Sequence, residues 1–447
     1  MNERRVLLTN WTMVGRHGSV MHIRDLALGL LRAGHRPLVY APELGDVASD
    51  LMHATVPVVS DLGQIGQAPD LIHGHSPHDL VSALLAFPHV PAIFTCHAWM
   101  SGLAEPPLFT RVRRYVAVDE TCRDRLTSLC GLAGARVAVH FNAVDLQRFR
   151  PRAALPERPR RALVFSNYAS ERGYVCAMRQ ACTACGLALD VIGEGVGNLC
   201  SAPEQVLGAY DVVFAKARAA AEALAVGCAV VLCDTSGFGG LVTTSNVEQL
   251  RQWNLGRRAL QDPVTEARIA GALSHYDAAD AALVSARVRK ELCLERAVED
   301  MLALYQAVIA EHAVAPLTDP SAEIAAVVHF LQWFARPCAE WLRSAREQQA
   351  LQRRALFAES EAEVVRQEKG RLTEDMARLQ SAIAMAQGEA SHLHHELATS
   401  RAELHALRQS VTLRAKERLA RIPLVGRAFH AAARLASGRR WSRPAAG

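Results

Sequence analysis

Two rhythms of apolar residues alternate along the first three hundred positions. Short apolar runs bounded by Gly, Asp or Pro give way to stretches in which apolar residues recur every three or four positions, the alternation of strands and amphipathic helices. Over residues 5–150 the runs predict strands at Val6–Leu8, Pro37–Tyr40, Asp70–His73, Ala92–Thr95, Tyr115–Val118 and Arg136–Val139. A helix is predicted over Val20–Ala33, with Ile23, Leu26, Ala27, Leu30 and Leu31 on one face and Gly34 as its stop. The pattern breaks at Arg150–Arg161, crowded with Arg and Pro, which reads as a linker. A second series follows at Ala162–Phe165, Leu187–Ile192, Asp211–Phe214 and Ala229–Leu232, and a helix over Val298–Ile309 is expected to close it. Strands alternating with helices make a parallel, doubly wound α/β sheet, here twice over.

Beyond Pro316 and Pro320 the rhythm changes again. From Leu351 to Val411 apolar or small residues recur at alternating steps of four and three, interrupted by Lys369 and Ser400. This heptad seam predicts a coiled coil, a rod of roughly 90 Å at 1.5 Å per residue; the Ala-rich seam also leaves room for a lone solvated helix. The expected organisation is an N-terminal Rossmann-like domain over 1–150, a second over 161–312, a helical coiled-coil region over 321–411 and a basic tail over 412–447.

Charge changes the picture only at the C-terminus. The 447 residues carry a net charge of +5, yet Arg414–Arg443 holds nine Lys/Arg against the single acid Glu417. The body is therefore slightly acidic, and no nucleic-acid partner is expected for it. In the tail, Trp441, Leu424, Val425 and Phe429 mix with Arg, the signature of a surface helix on anionic lipid, or of a disordered basic arm. No signal peptide or membrane-spanning run is read, and the eleven cysteines are scattered, so a cytoplasmic location with reduced thiols is expected. Cys182-x-x-Cys185 stands alone, without the second pair of a zinc site.

Candidate chemistry gathers at predicted strand ends, where ligands bind in open α/β sheets. Gly15 and Gly18 lie between the first strand and first helix, where glycines make a tight turn or let backbone approach a phosphate. The spacing is not that of a dinucleotide fingerprint. His73 and His75 follow one strand and His97 another; such histidines are more often packed or hydrogen-bonded at a strand end, and no metal site is expected.

The order of these pieces resembles a known family. Gly15-Arg-His-Gly18, Gly34-His35 before a strand, Asp70-Leu-Ile-His-Gly-His75, Thr95-Cys-His97 and Asn142-Ala-Val-Asp145-Leu-Gln-Arg-Phe149 look like the N-terminal half of family 4 glycosyltransferases. Gly193-Glu-Gly195 and Glu222-Ala-Leu-Ala-Val-Gly-Cys-Ala-Val-Val231 extend the resemblance to about residue 310. It implies a GT-B fold, with two Rossmann-like domains around a cleft. It further implies transfer of a sugar from a nucleotide-sugar donor to a glycan or lipid-linked acceptor, with retention and without metal or cofactor. By the resemblance Gly18 lies against the donor diphosphate, His97 near the donor sugar, and Glu222 on the ribose. Three departures stand out. Phe214 replaces a carboxylate that grips the hexose, and Asn167 and Arg172 replace the Arg and Lys that hold the diphosphate. The loop with Gly239 and Gly240 ends in Val242-Thr243 instead of a Glu. Lys216 and Arg218 are candidates to restore the missing positive charge. The alternative is a GT-B scaffold without activity that organises partners through its coiled coil. A homo-oligomer, or a partner with a matching seam, is expected either way.

Overall fold

The structure, a computed structural model, describes residues 3–99, 105–171, 173–316, 319–409 and 411–421. It falls into two units, Met1–Trp341 and Leu342–Gly447.

The first unit opens with β1 (Arg5–Thr9), β2 (Thr12–Met13), α1 (Gly18–Arg32), β3 (Arg36–Tyr40), β4 (Glu43–Leu44), α2 (Asp46–His53) and β5 (Val58–Val59). It continues through β6 (Leu71–Gly74), α3 (Pro77–Ala86), β7 (Ala92–Cys96), β8 (Val112–Ala117), α4 (Glu120–Asp124) and β9 (Val137–Val139). Seven of these strands form one sheet in the order β5-β3-β1-β6-β7-β8-β9, and every pair in it is parallel. A parallel sheet is covered on both faces, so its strands are apolar throughout. β1, β6 and β7 are almost entirely buried.

The second series contains β10 (Arg161–Phe165), α5 (Val175–Ala184), β11 (Ala188–Ile192), α6 (Pro203–Val206), β12 (Val212–Ala215), α7 (Ala217–Val226), β13 (Ala229–Asp234) and β14 (Gly237–Leu241). Then come α8 (Val247–Gln252), α9 (Glu266–Ser274), α10 (Ala278–Glu291) and α11 (Leu294–Val314). The sheet order is β11-β10-β12-β13-β14, parallel except for the last, antiparallel strand. Two sheets, each with a core on both faces, bear out the double Rossmann-like expectation.

Two local expectations are corrected. The helix expected over Val298–Ile309 to close the second domain is α11, and its buried face packs into the first domain. Leu294, Val298, Met301, Leu302, Tyr305 and Val308 share a core with Val20, Ile23, Leu26, Ala27 and Leu30 of α1. The chain therefore crosses between domains twice, at 144–149 and at 292–294. The crossings are stitched together where Val144 N–H donates to Leu292 O and Leu294 N–H to Val144 O. The second correction is Gly237–Leu241, read as a loop. It pairs with β13 as an edge strand, a register that glycine content concealed.

The first turns of the next helix also belong to the first domain. α12 (Pro320–Gln409) sets Phe330, Trp333 and Phe334 against the β7–β8 side of the sheet, and Glu323 pairs with the buried Arg111 at 2.9 Å. In the second unit, α12 continues as one unbroken helix from Leu342, with Leu351, Leu372, Leu379, Ile383 and Leu393 exposed at the seam positions. α13 (Val411–Ala420) follows, and the remainder of the expected basic tail lies outside the described residues.

The packing of α11 on α1 gives a test. A Cβ on Gly29 would stand 2.5 Å from Val298 Cγ2. Gly29→Val is therefore expected to lose about 1–3 kcal/mol by overpacking, read by urea unfolding, and Val298→Ala added to it is expected to recover part of the loss.

Candidate active site

A cleft of about 650 Å³ lies between the carboxyl ends of the two sheets, a volume in the range of small-ligand sites. Its first wall is the β2–α1 loop. Gly15 takes a left-handed φ of +70° and donates its N–H to Asp46, which turns the chain toward α1. α1 then begins at Gly18 with no side-chain cap and no acid in its first turn, so its orphan N–H groups and positive dipole end face the cleft. A Cβ on Gly18 would meet no protein atom within 4 Å. The glycine is thus not required by packing, and it leaves room for a ligand to approach the backbone.

The opposite wall is built the same way. α7 starts after Lys216 without a side-chain cap, and Ala217 holds a φ of +48°, a strained value for a residue with a side chain. Its N–H is tied to Leu255 O at 2.8 Å. Ser166, Asn167 and Tyr168 after β10, and Glu194 after β11, complete the wall. Two helix N-termini from different domains therefore look into one cleft, an arrangement suited to an anion such as a diphosphate.

The floor is a buried charge network that crosses between the domains. Asp25 of α1, 1% exposed, pairs with Arg218 of α7, with Arg148 at 3.6 Å and with Arg24 at 2.9 Å. Arg218 Nε donates to Glu222 one turn on, at 2.8 Å. Arg148 reaches on to Glu204 of α6 at 2.8 Å. Burial disfavours the Asp25 carboxylate, but the three guanidiniums outweigh it and hold its pKa below the ordinary value. Burial pushes Glu222 up, with Arg218 pulling back, and the flanking carboxylates raise Arg218 despite its own burial.

The candidates from the sequence divide. Gly15, Gly18, Lys216, Arg218 and Glu222 all line the cleft. Lys216 pairs with the buried Asp234 and lies over the Tyr168 ring, its ammonium 5.4 Å from the centroid. Arg218 is not a spare positive charge, since Asp25 and Glu222 both hold it. Gly239 and Gly240 do not reach the cleft. They lie in β14, where a Cβ on Gly239 would stand 2.6 Å from Ala259 O, so that glycine serves strand packing. Phe214 is fully buried in the core of the second sheet, so the position offers no group to a sugar. Arg172 lies outside the described residues.

His97 does not line the cleft either. It joins His75 and His22 in a cluster beside it, with His75 Nδ1 and His97 Nε2 2.9 Å apart. Desolvation lowers the pKa of each, for His22 to about 4, so all three are neutral imidazoles at pH 7. Asp25, Arg148 and His22 were not singled out from the sequence. The first and last lie on a helix face that reads as routine polar spacing, and Arg148 sits within the joint motif Asn142–Phe149.

Comparison with known proteins fits this geometry. The family model described as Glycosyltransferase Family 4 matches residues 16–148. Residues 16–148, within the first domain, are thus similar to Glycosyltransferase Family 4. The match covers the α1 wall of the cleft, the histidine cluster and the joint up to Arg148. Among solved structures, a glycosyltransferase from Rickettsia africae has the same fold, with a TM-score of 0.51 and 12% identity over 69% of this chain and 99% of that one. Anabaena Alr3699/HepE, solved in complex with UDP and glucose, aligns with a TM-score of 0.48 and 13% identity over 68% of this chain and 100% of that one. No curated protein matches in sequence. The two Rossmann-like domains of the chain make a GT-B fold.

The charge network predicts a specific loss. Arg218→Ala removes the cation shared by two buried carboxylates and is expected to cost about 3–5 kcal/mol in urea unfolding. A double-mutant cycle with Asp25→Asn is expected to give a coupling above roughly 1 kcal/mol, because the two residues share one buried pair.

Proposed function

We propose that the chain is a glycosyltransferase that moves a sugar from a nucleotide-sugar donor to a glycan or lipid-linked acceptor, in cell-surface polysaccharide synthesis. The observation that carries the reading is the pair of uncapped helix N-termini, at Gly18 of α1 and Ala217 of α7, facing one cleft in a GT-B fold whose first domain is similar to family 4. In this reading the donor diphosphate lies between them. The developing negative charge on the leaving diphosphate is met by fixed N–H dipoles and by Lys216, without a metal ion at the phosphates. Glu222, at the cleft floor, takes the ribose hydroxyls, and transfer proceeds with retention. With Phe214 in the core, the exposed Glu194 is the carboxylate left on the second wall to meet the hexose.

The complete pairing of Lys216, Arg218 and Arg148 with protein carboxylates supports a second reading, a non-catalytic scaffold that binds a nucleotide or glycan. A thermal-shift panel of nucleotide sugars, followed by a transfer assay with the donor it finds, decides between them. One donor at 100 times its Kd is expected to stabilise the wild type by about 2.7 kcal/mol. Gly18→Val and Glu222→Ala, checked for folding, are expected to lose that shift. The same donor then serves in a transfer assay. If no donor shifts the folded wild type, the transferase reading fails.

The exposed seam of α12 supports self-association, which would carry several catalytic domains on one coiled coil, and the basic residues from Arg414 onward suit the inner face of a cytoplasmic membrane. Sedimentation is expected to give a dimer or larger assembly at micromolar concentration, and the pair Leu379→Lys and Leu393→Lys to shift it to monomer. A wild type that sediments as a monomer would refute the coiled coil.

A further inference from the structure

The histidine cluster beside the cleft has a geometry that the transfer chemistry does not use. His75 follows β6 and His97 follows β7, neighbouring strands in parallel register, so the two rings emerge side by side. His22, in the second turn of α1, reaches the same point, with its ring centroid 5.4 Å from that of His75 and 5.1 Å from that of His97. One ring nitrogen from each of the three lies within 4.8 Å of the other two. His22 Nε2 is buried and has no hydrogen-bond partner. Buried polar atoms are nearly always satisfied, and leaving one unmet costs about 1–3 kcal/mol. A set of histidines that packed only for structure would look like His73, whose two nitrogens meet Tyr305 and Thr95 at 2.7 Å each.

We propose that His22, His75 and His97 hold one divalent transition-metal ion of the zinc class, with a fourth coordination position open. The donor set decides the class. Three imidazole nitrogens with no carboxylate suit zinc and its neighbours, whereas magnesium and calcium take oxygen ligands. Tetrahedral ligands at about 2.0–2.1 Å from zinc stand roughly 3.4 Å apart. The 2.9 Å between His75 Nδ1 and His97 Nε2 is a shared-proton spacing that widens slightly when both lone pairs turn to the ion, and the proton moves by tautomerisation to the other nitrogen of the ring that carried it, so both rings stay neutral. The rings arrive neutral, as ligands must, because burial disfavours their charged form. An outer contact orients them: the clamped His73 ring packs 4.2 Å from His75. None of the three ligands lines the donor cleft, so the ion is resident in the first domain and leaves the metal-free neutralisation of the diphosphate unchanged.

The experiment is a titration of the tag-free full chain with Zn²⁺ against a chromophoric chelator, repeated with Co²⁺ to read the visible absorption of a four-coordinate ion. The exposed His394 and His395 on α12 are a competing source of imidazoles, so His394→Ala with His395→Ala is the control. The wild type and the control are expected to bind one equivalent with the same affinity, and His97→Ala to bind at least tenfold more weakly, since even loss of an outer partner costs roughly 10–100-fold. Equal binding by folded His97→Ala, or loss of binding in the control, overturns the site. If His97→Ala does not fold, X-ray absorption of the zinc-loaded control decides. A shell with three imidazoles supports the proposal, and an oxygen-dominated shell or fewer imidazoles refutes it.

Discussion

A carboxylate that is 1% exposed must be paired or be neutral, and Asp25 is held ionised by guanidiniums from three directions. Arg24 comes from its own helix, Arg148 from the joint, and Arg218 from the other domain. That single constraint fixes how α1 and α7 face one another. Because both helices point their N-termini into the cleft, it also fixes the spacing of those two ends. A buried pair of this kind adds little net stability over an apolar contact, but breaking it is costly, and its value here is in register.

The joint around it is built from the motif Asn142–Phe149. Val144 and Phe149 are fully buried in the core of the second domain, while Asp145 accepts from Arg32 of α1 at 3.1 Å. The second crossing runs beside it at 292–294, and α11 returns to the first domain, so the two domains share a double hinge instead of a single linker. The stretch Arg150–Arg161 is accordingly pinned. Arg152 pairs with Asp211 at 3.0 Å, and its N–H donates to Val226 O. Any change in the width of the cleft would pivot at these two crossings and strain the Asp25–Arg218 contact.

Most of the fold was legible because parallel strands buried on both faces announce themselves as apolar runs. What escaped had a physical reason. β8 begins at Val112, but Arg113 and Arg114 hide it, since they meet His312 and Glu311 of α11, a partner two hundred residues away. β14 hides behind its glycines. The site was half legible. Gly18 and Glu222 were readable because a turn before a helix and a motif before a strand are local. The Asp25–Arg218–Glu222 network and the His22–His75–His97 cluster join elements far apart in sequence, and no local pattern marks such a meeting. His97 was placed near the donor by resemblance, whereas the side chain turns to His75.

In the proposed function a nucleotide sugar binds between the N-termini of α1 and α7. Hydrogen exchange of backbone amides, with and without saturating uridine, guanosine or adenosine diphosphate sugars, tests it most directly, because those amides are the proposed phosphate ligands. If the donor diphosphate lies there, one donor slows exchange at Gly18–Val20 and at Arg218–Ala219 together, while the outer strands β5 and β9 are unchanged. A donor that binds but leaves both helix starts exchanging at their free rates would contradict it.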